Sequence, residues 1–193
     1  MCPPLDARSA AGVAAAALRD TLEHALASRA DRVVLALDGR PRSWCPAGVD
    51  VVGQGTGTLA DRLAFAWRHA TGPAIQIGMD TPQVLAGDLD AAMATLDEPG
   101  VDAVLGPAAD GGWWAVGFAQ SLPDPRVVFT GLPAGRADTG RRQLARLVAM
   151  GLRVRLLEVR RDVDTWTDAC SVADEAPHTR FAAAVRSVSL VRR

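Results

Sequence analysis

With 193 residues, 49% of them apolar, the chain is long enough to bury one sizeable core, and 21 Arg against 22 Asp and Glu leave a net charge of −1. That balance gives no field to steer a polyanion, Arg136, Arg141, Arg142 and Arg146 are interspersed with apolar positions, and no apolar run is long enough to span a bilayer. Nucleic-acid partners and a membrane span are therefore not expected. Lys, Asn and Tyr are absent, which removes Schiff-base lysine, P-loop lysine and tyrosine general-acid chemistry. Cys2, Cys45 and Cys170 are odd in number and in none of the paired spacings that hold zinc or a redox disulfide. Free thiols and the lack of a signal-like start point to the cytoplasm.

Along the chain, helical and strand periods alternate. Val13, Ala14, Ala17, Leu18, Leu22, Ala25 and Leu26 recur at three- and four-residue steps behind Ser9 as a cap, predicting a helix that ends near Arg29. Val33 to Leu37 reads as a buried strand, and Asp50 to Val52 as a short one running into Gly53-Gln54-Gly55-Thr56-Gly57. Leu59, Leu63, Ala66 and Trp67 carry the next helical stripe, Ala74 to Ile77 the third strand, and Leu85, Leu89, Ala92, Met93 and Leu96 another helix stopped by Pro99-Gly100. Val101 to Leu105 and Ala115 to Phe118 form a hairpin-like excursion at the edge of a parallel sheet. A Pro-rich stretch from Leu122 to Pro133 separates it from a helix at Leu144, Leu147 and Val148, a last strand at Val154 to Val159, and a terminal helix from Phe181 to Val188. No internal repeat or linker divides the chain. The alternation predicts one α/β domain over residues 1–193, three layers deep, with a mostly parallel, doubly wound sheet.

Two segments follow strand-like runs directly: Gly78-Met79-Asp80-Thr81-Pro82 and Gly106-Pro107-Ala108-Ala109-Asp110-Gly111-Gly112-Trp113-Trp114. In an open α/β sheet, ligands bind outside the carboxyl ends of the strands, so both acids are placed to converge on one crevice. Asp80 there either holds a cation or caps a helix beginning near Pro82. Asp110-Gly111-Gly112 suits an acceptor-site base beside backbone that approaches a ligand, or a plain turn between strands. Trp113 and Trp114 alternate across a strand, so one faces the crevice and the other the core, with Trp113 the better ligand contact. Gln54-Gly55 at a strand end offers an amide to a nucleobase edge and room for the ring, or is a polar loop. Asp162, Asp164, Thr165 and Asp168 read either as the cap of a late helix or, for Asp164 above the others, as a second cation ligand. His24, His69 and His178 form no ligand cluster, and no Ser-His-Asp or Cys-His arrangement emerges.

Together these motifs resemble the GT-A-like nucleotide-diphospho-sugar transferase superfamily, in particular a bacterial glycosyltransferase-like group associated with radical-SAM and selenodomain proteins. The resemblance runs from Cys2-Pro3-Pro4-Leu5 through Gln54-Gly55, the Gly-x-Asp-x-Pro and Asp-Gly-Gly-aromatic elements, to Asp162-Val163-Asp164-Thr165 and Asp168. It implies transfer from a nucleotide-diphospho-sugar to a small-molecule acceptor. Asp80 and Asp164 would hold Mg²⁺ or Mn²⁺, Asp110 would act on the acceptor, and Gln54, Gly55, Gly111, Gly112 and Trp113 would contact substrate. Nucleotidylyl transfer, as in molybdenum-cofactor or phospholactate guanylyltransferases, and idle nucleotide binding are the alternatives. Thr56 and Thr58 stand where the group usually has acids after Gln-Gly. The group's first strand and Gly-rich basic segment usually precede the Pro-Pro-Leu element, so the resemblance implies a sheet lacking its first strand, with pairing broken beside Val33 to Leu37. Homodimerisation through the free edge is one expected consequence.

Overall fold

The computed structural model describes residues 1–122, 124–133 and 135–191. Its first helix, α1, spans Ala7–Ala27, and the residue that starts it is Asp6 rather than Ser9: the Asp6 carboxylate accepts the Ser9 N–H at 2.8 Å and the Ser9 hydroxyl at 2.9 Å. Strands β1 (Val33–Leu37) and β2 (Val49–Gly53) pair in parallel, followed by α2 (Leu59–Ala66) and a 3₁₀ turn at Trp67–His69. Then come β3 (Ala74–Ile77), α3 (Ala86–Leu96), β4 (Ala103–Pro107) and β5 (Trp113–Phe118). The chain continues with α4 (Arg126–Phe129), α5 (Thr139–Ala149), β6 (Val154–Leu156), α6 (Trp166–Glu175) and α7 (Arg180–Val191).

Among the described residues the strands fall into two sets, β1-β2 and β3-β5-β4-β6. All five β1 residues are half-buried. In the larger sheet β3, β4 and β6 run one way and β5 runs against both its neighbours. Here the structure differs from the expected excursion at the sheet edge, because β5 lies inside, between β3 and β4. The reason is in its residues. After the half-buried Trp113, every position of β5 is buried, and a strand apolar on both faces has to be covered on both.

The two faces are covered by different helices, giving the three layers. Val116 and Phe118 of β5, with Ala103 and Leu105 of β4, pack with Ala64 of α2, Trp67 of the 3₁₀ turn, Val128 and Phe129 of α4 and Leu147 of α5. On the other face, Trp114 and Ala115 meet Val84, Leu89 and Ala25, and Val104 meets Leu96 and Val101. A third cluster joins α1, α6 and α7 around the fully buried Phe181, whose removal from water is worth about 3 kcal/mol. No helix of the described residues is long and apolar enough to cross a membrane.

Candidate cation and nucleotide site

The acids that follow the strands are brought together by backbone ladders continued beyond the strands themselves. Past β4 and β6, Arg160 N–H donates to Pro107 O at 3.1 Å and Ala109 N–H to Arg160 O at 2.9 Å, so the segment entering Asp110 runs beside the one entering Asp162. From the β3 side, Val163 N–H donates to Asp80 O at 2.8 Å. One carboxylate oxygen each from Asp110, Asp162 and Asp164 then lies within 4.8 Å of the others. Asp110 and Asp164 are exposed and Asp162 is half-buried. Opposite ligand oxygens stand about 4.2 Å apart around Mg²⁺ and about 5 Å around Ca²⁺, so three oxygens at this spacing fit one hard cation.

Asp80 borders this set. Its carboxyl is raised above the usual carboxylate value, first by lost hydration among the packed loops and then by the charges of Asp164 and Asp110. Because Asp80 is exposed at its surface, that dehydration is partial. Asp162 is pushed up to about 6, first by lost hydration and then by Asp110, Asp164 and Asp80 in turn. Asp80 and Asp162, raised in this way beside two further carboxylates, mark a concentration of negative charge that a divalent cation would offset.

Asp80 does not cap a helix near Pro82, because α3 starts only at Ala86; Thr81 to Val84 form a turn closed by Val84 N–H on Thr81 O at 3.0 Å. Nor do Asp162 and Asp164 cap α6. Thr165 does, with its hydroxyl accepting Asp168 N–H at 3.2 Å while Asp168 Oδ2 accepts Thr165 N–H at 3.0 Å. Asp162 is thus the member of the set that the sequence left behind Asp164. The signal that could have found it is the two-residue step in Asp162-Val163-Asp164, which in extended chain puts both carboxylates on one side.

The glycines of these motifs answer to packing. A Cβ on Gly78 would stand 2.2 Å from Asp80 Oδ1, so the side chain of Asp80 occupies the space a larger residue would need. Gly111 has φ +94°, and a Cβ there would meet Ala137 O at 2.1 Å; one on Gly140 would meet Gly112 O at 2.2 Å. Gly111 and Gly112 therefore seat the Asp110 loop on the start of α5, where Gly140 N–H donates to Gly111 O at 2.8 Å. Asp110 Oδ1 accepts Gly112 N–H at 2.6 Å, which fixes the carboxylate. Trp113 is half-buried and stacks on Phe129 at 6.2 Å between ring centroids, whereas Trp114 is buried on the opposite face with its Nε1–H donating to Glu158 O at 3.0 Å. The two rings thus face opposite sides of the sheet, although a bulge in the β4–β5 pairing leaves Trp114 and Ala115 on one side.

Gln54 and Gly55 follow β2 directly. Gln54 N–H donates to Leu37 O at 3.0 Å, its Oε1 accepts from Arg62 Nη1 at 3.2 Å, and Gly55, at φ +79°, lies over the Phe65 ring. Thr58 caps α2 in a reciprocal pair with Asp61, a local duty that needs no acid at that position.

A family model described as "Uncharacterized protein conserved in bacteria (DUF2064)" matches residues 13–136. No curated protein matches the chain. Among solved structures, a "putative nucleotide-diphospho-sugar transferase" from Desulfovibrio desulfuricans G20 is similar at 22% identity and a TM-score of 0.81, over 96% of this chain and 86% of that one. Rv0371c of Mycobacterium tuberculosis H37Rv, in complex with manganese, is similar at 24% identity and TM-score 0.52, over 82% and 86%. Its homologue from Mycobacterium sp. strain JC1 is similar at 22% identity and TM-score 0.52, over 83% of each chain. At these identities the likeness is one of fold.

Proposed function

The chain belongs to the DUF2064 family, and we propose that it is a cation-dependent transferase acting on a nucleotide-diphospho-sugar, transferring the sugar to a small-molecule acceptor. The observation that carries this reading is the convergence of Asp110, Asp162 and Asp164 within 4.8 Å, with Asp80 beside them, at the carboxyl ends of β3, β4 and β6. The fold shared with a protein described as a nucleotide-diphospho-sugar transferase, and with one solved with manganese, supports it.

In this reading Asp162 and Asp164 hold Mg²⁺ or Mn²⁺, and Asp80 closes the set from the β3 side. The cation supplies charge stabilisation for the diphosphate as it leaves the sugar. Asp110 reaches the same point from the β4–β5 turn, and its tie to Gly112 holds it still enough to take the proton of the attacking acceptor hydroxyl. Its place within the carboxylate set also gives it a share in the cation, a role the sequence did not suggest. Gln54, with Oε1 held by Arg62, keeps its Nε2 to donate to a base edge, while Gly55 packs on Phe65 and holds the loop in place. The exposed part of Trp113 borders the acceptor side.

The reading is tested by a thermal-shift screen of nucleoside diphosphates and their sugars with and without Mn²⁺, since a ligand that binds the native state raises its melting temperature. A shift that needs both nucleotide and cation is expected. A nucleotide shift unchanged by chelator, or none at all, contradicts it.

A further inference from the structure

The two loops that carry the carboxylates are tied together at three points. Val163 N–H donates to Asp80 O at 2.8 Å, Gln83 Nε2 donates to Arg161 O at 2.5 Å, and Arg160 Nη2 meets Asp88 Oδ1 at 2.8 Å with Glu158 Oε2 at 3.0 Å. Only the last joins side chains of opposite charge. Asp88 lies in the first turn of α3, and its other oxygen accepts Leu85 N–H at 2.8 Å, so the pair grips the end of the loop that begins at Asp80. Through its backbone, Arg160 is also bonded to Pro107 and Ala109, on the way to Asp110, and it stands two residues before Asp162. One residue thus touches, or immediately adjoins, every segment that supplies an acid to the site.

Stability alone does not favour an arginine here. Its side chain is 27% exposed and that of Asp88 28%, and the Arg160 Nε is buried without a hydrogen-bond partner. A pair this sheltered gains little over well-packed apolar side chains, because the dehydration of both charges offsets their attraction. Bare charge argues against it too: a guanidinium near a cation site repels the cation. What the pair does supply is a fixed distance between α3 and the Arg160–Asp164 segment.

We infer that Arg160 is a positioning residue which, through Asp88, sets Asp80 against Asp110, Asp162 and Asp164 and thereby sets the affinity of the site for a divalent cation. This rests on the cation reading above. Residues that orient a metal's ligands typically alter its affinity 10–100-fold when lost, roughly the scale expected here.

The test is Mn²⁺ titration by calorimetry on the full chain, with melting temperatures in chelator measured alongside. Arg160→Met should weaken Mn²⁺ binding about tenfold or more, Asp88→Asn should do the same, and the double variant should be no weaker than either single one. Arg160→Lys, which keeps a charge able to reach Asp88, should recover part of the loss. If charge alone mattered, Arg160→Met would bind Mn²⁺ more tightly, and that result overturns the inference. So does unchanged Mn²⁺ affinity in Arg160→Met or Asp88→Asn, whatever happens to their melting temperatures. A wild-type protein that takes up no Mn²⁺ overturns the cation reading and this inference together, whereas wild-type uptake with unaltered variants overturns only the inference.

Discussion

Gly78 shows how a single residue decides the geometry of the site. Its missing Cβ is the space into which Asp80 folds, so Gly78→Ala should displace that carboxylate and weaken Mn²⁺ binding, with little change in a chain whose Gly78 N–H still reaches Trp114 O at 3.2 Å. Calorimetry and a melting curve on the same sample check this. Asp110 makes a different prediction: Asp110→Asn should lower turnover by about a hundredfold or more, the usual scale for losing a positioned base, while donor and Mn²⁺ affinity fall far less because Asp80, Asp162 and Asp164 remain. Donor binding lost with turnover unchanged at saturation would move Asp110 out of that role. Asp80, Asp110 and Asp164 were singled out in the sequence because each sits in a motif directly after a strand or before a helix. Asp162 was not, since Asp162-Val163-Asp164-Thr165 with Asp168 reads equally well as the start of a helix. Only the closed Thr165–Asp168 pair shows that the upstream acids are free of that duty.

At the scale of elements, α1 and α7 are joined by a polar contact that the apolar pattern could not reveal. Asp20 is buried in α1, and its carboxylate accepts the N–H groups of Arg180 at 3.2 Å and Phe181 at 2.7 Å, the first two of α7; Thr179 accepts the third, from Ala182, at 3.0 Å. Asp20→Ala would leave buried donors unmet and should cost roughly 1–3 kcal/mol in denaturant unfolding, with Mn²⁺ affinity unchanged. The periods of three to four and of two identified nearly every helix and strand. They missed α4, a single turn within a Pro-rich stretch and too short to show a period, and α6, which only the capping residues around Thr165 announced. They also misplaced β5, because local pattern gives a strand's burial but not its neighbours. The same split in pairing predicts a split in dynamics. Amides of β4 and β5, buried and paired on both sides, should exchange with solvent far more slowly than those of β1, which among the described residues pairs with β2 alone and is half-buried throughout. Equal protection in β1 and β5 would contradict it.

For the molecule as a whole, the carboxylates make stability depend on pH in two opposed windows. Asp102, held at about 2 by Arg153, contributes stability that is present above the ordinary carboxylate value and lost as pH falls toward 2. Asp162 does the reverse. Its folded value of about 6 exceeds the unfolded one, so without a cation the native state binds the extra proton, and stability falls as pH rises from about 4 to about 6. Asp80 is shifted in the same direction. Melting temperatures in chelator should therefore decline across that interval, Asp162→Asn should flatten the decline, and Mn²⁺ should oppose it once Asp162 is ionised. The central claim is that these acids form one cation site, and a Mn²⁺ titration at pH 7.5 of the wild type beside Asp162→Asn and Asp164→Asn tests it most directly. Saturable uptake of one Mn²⁺ by the wild type, lost or strongly weakened in both variants while their melting temperatures in chelator hold or rise, is the predicted result. No uptake by the wild type, or uptake that neither substitution changes, would contradict it.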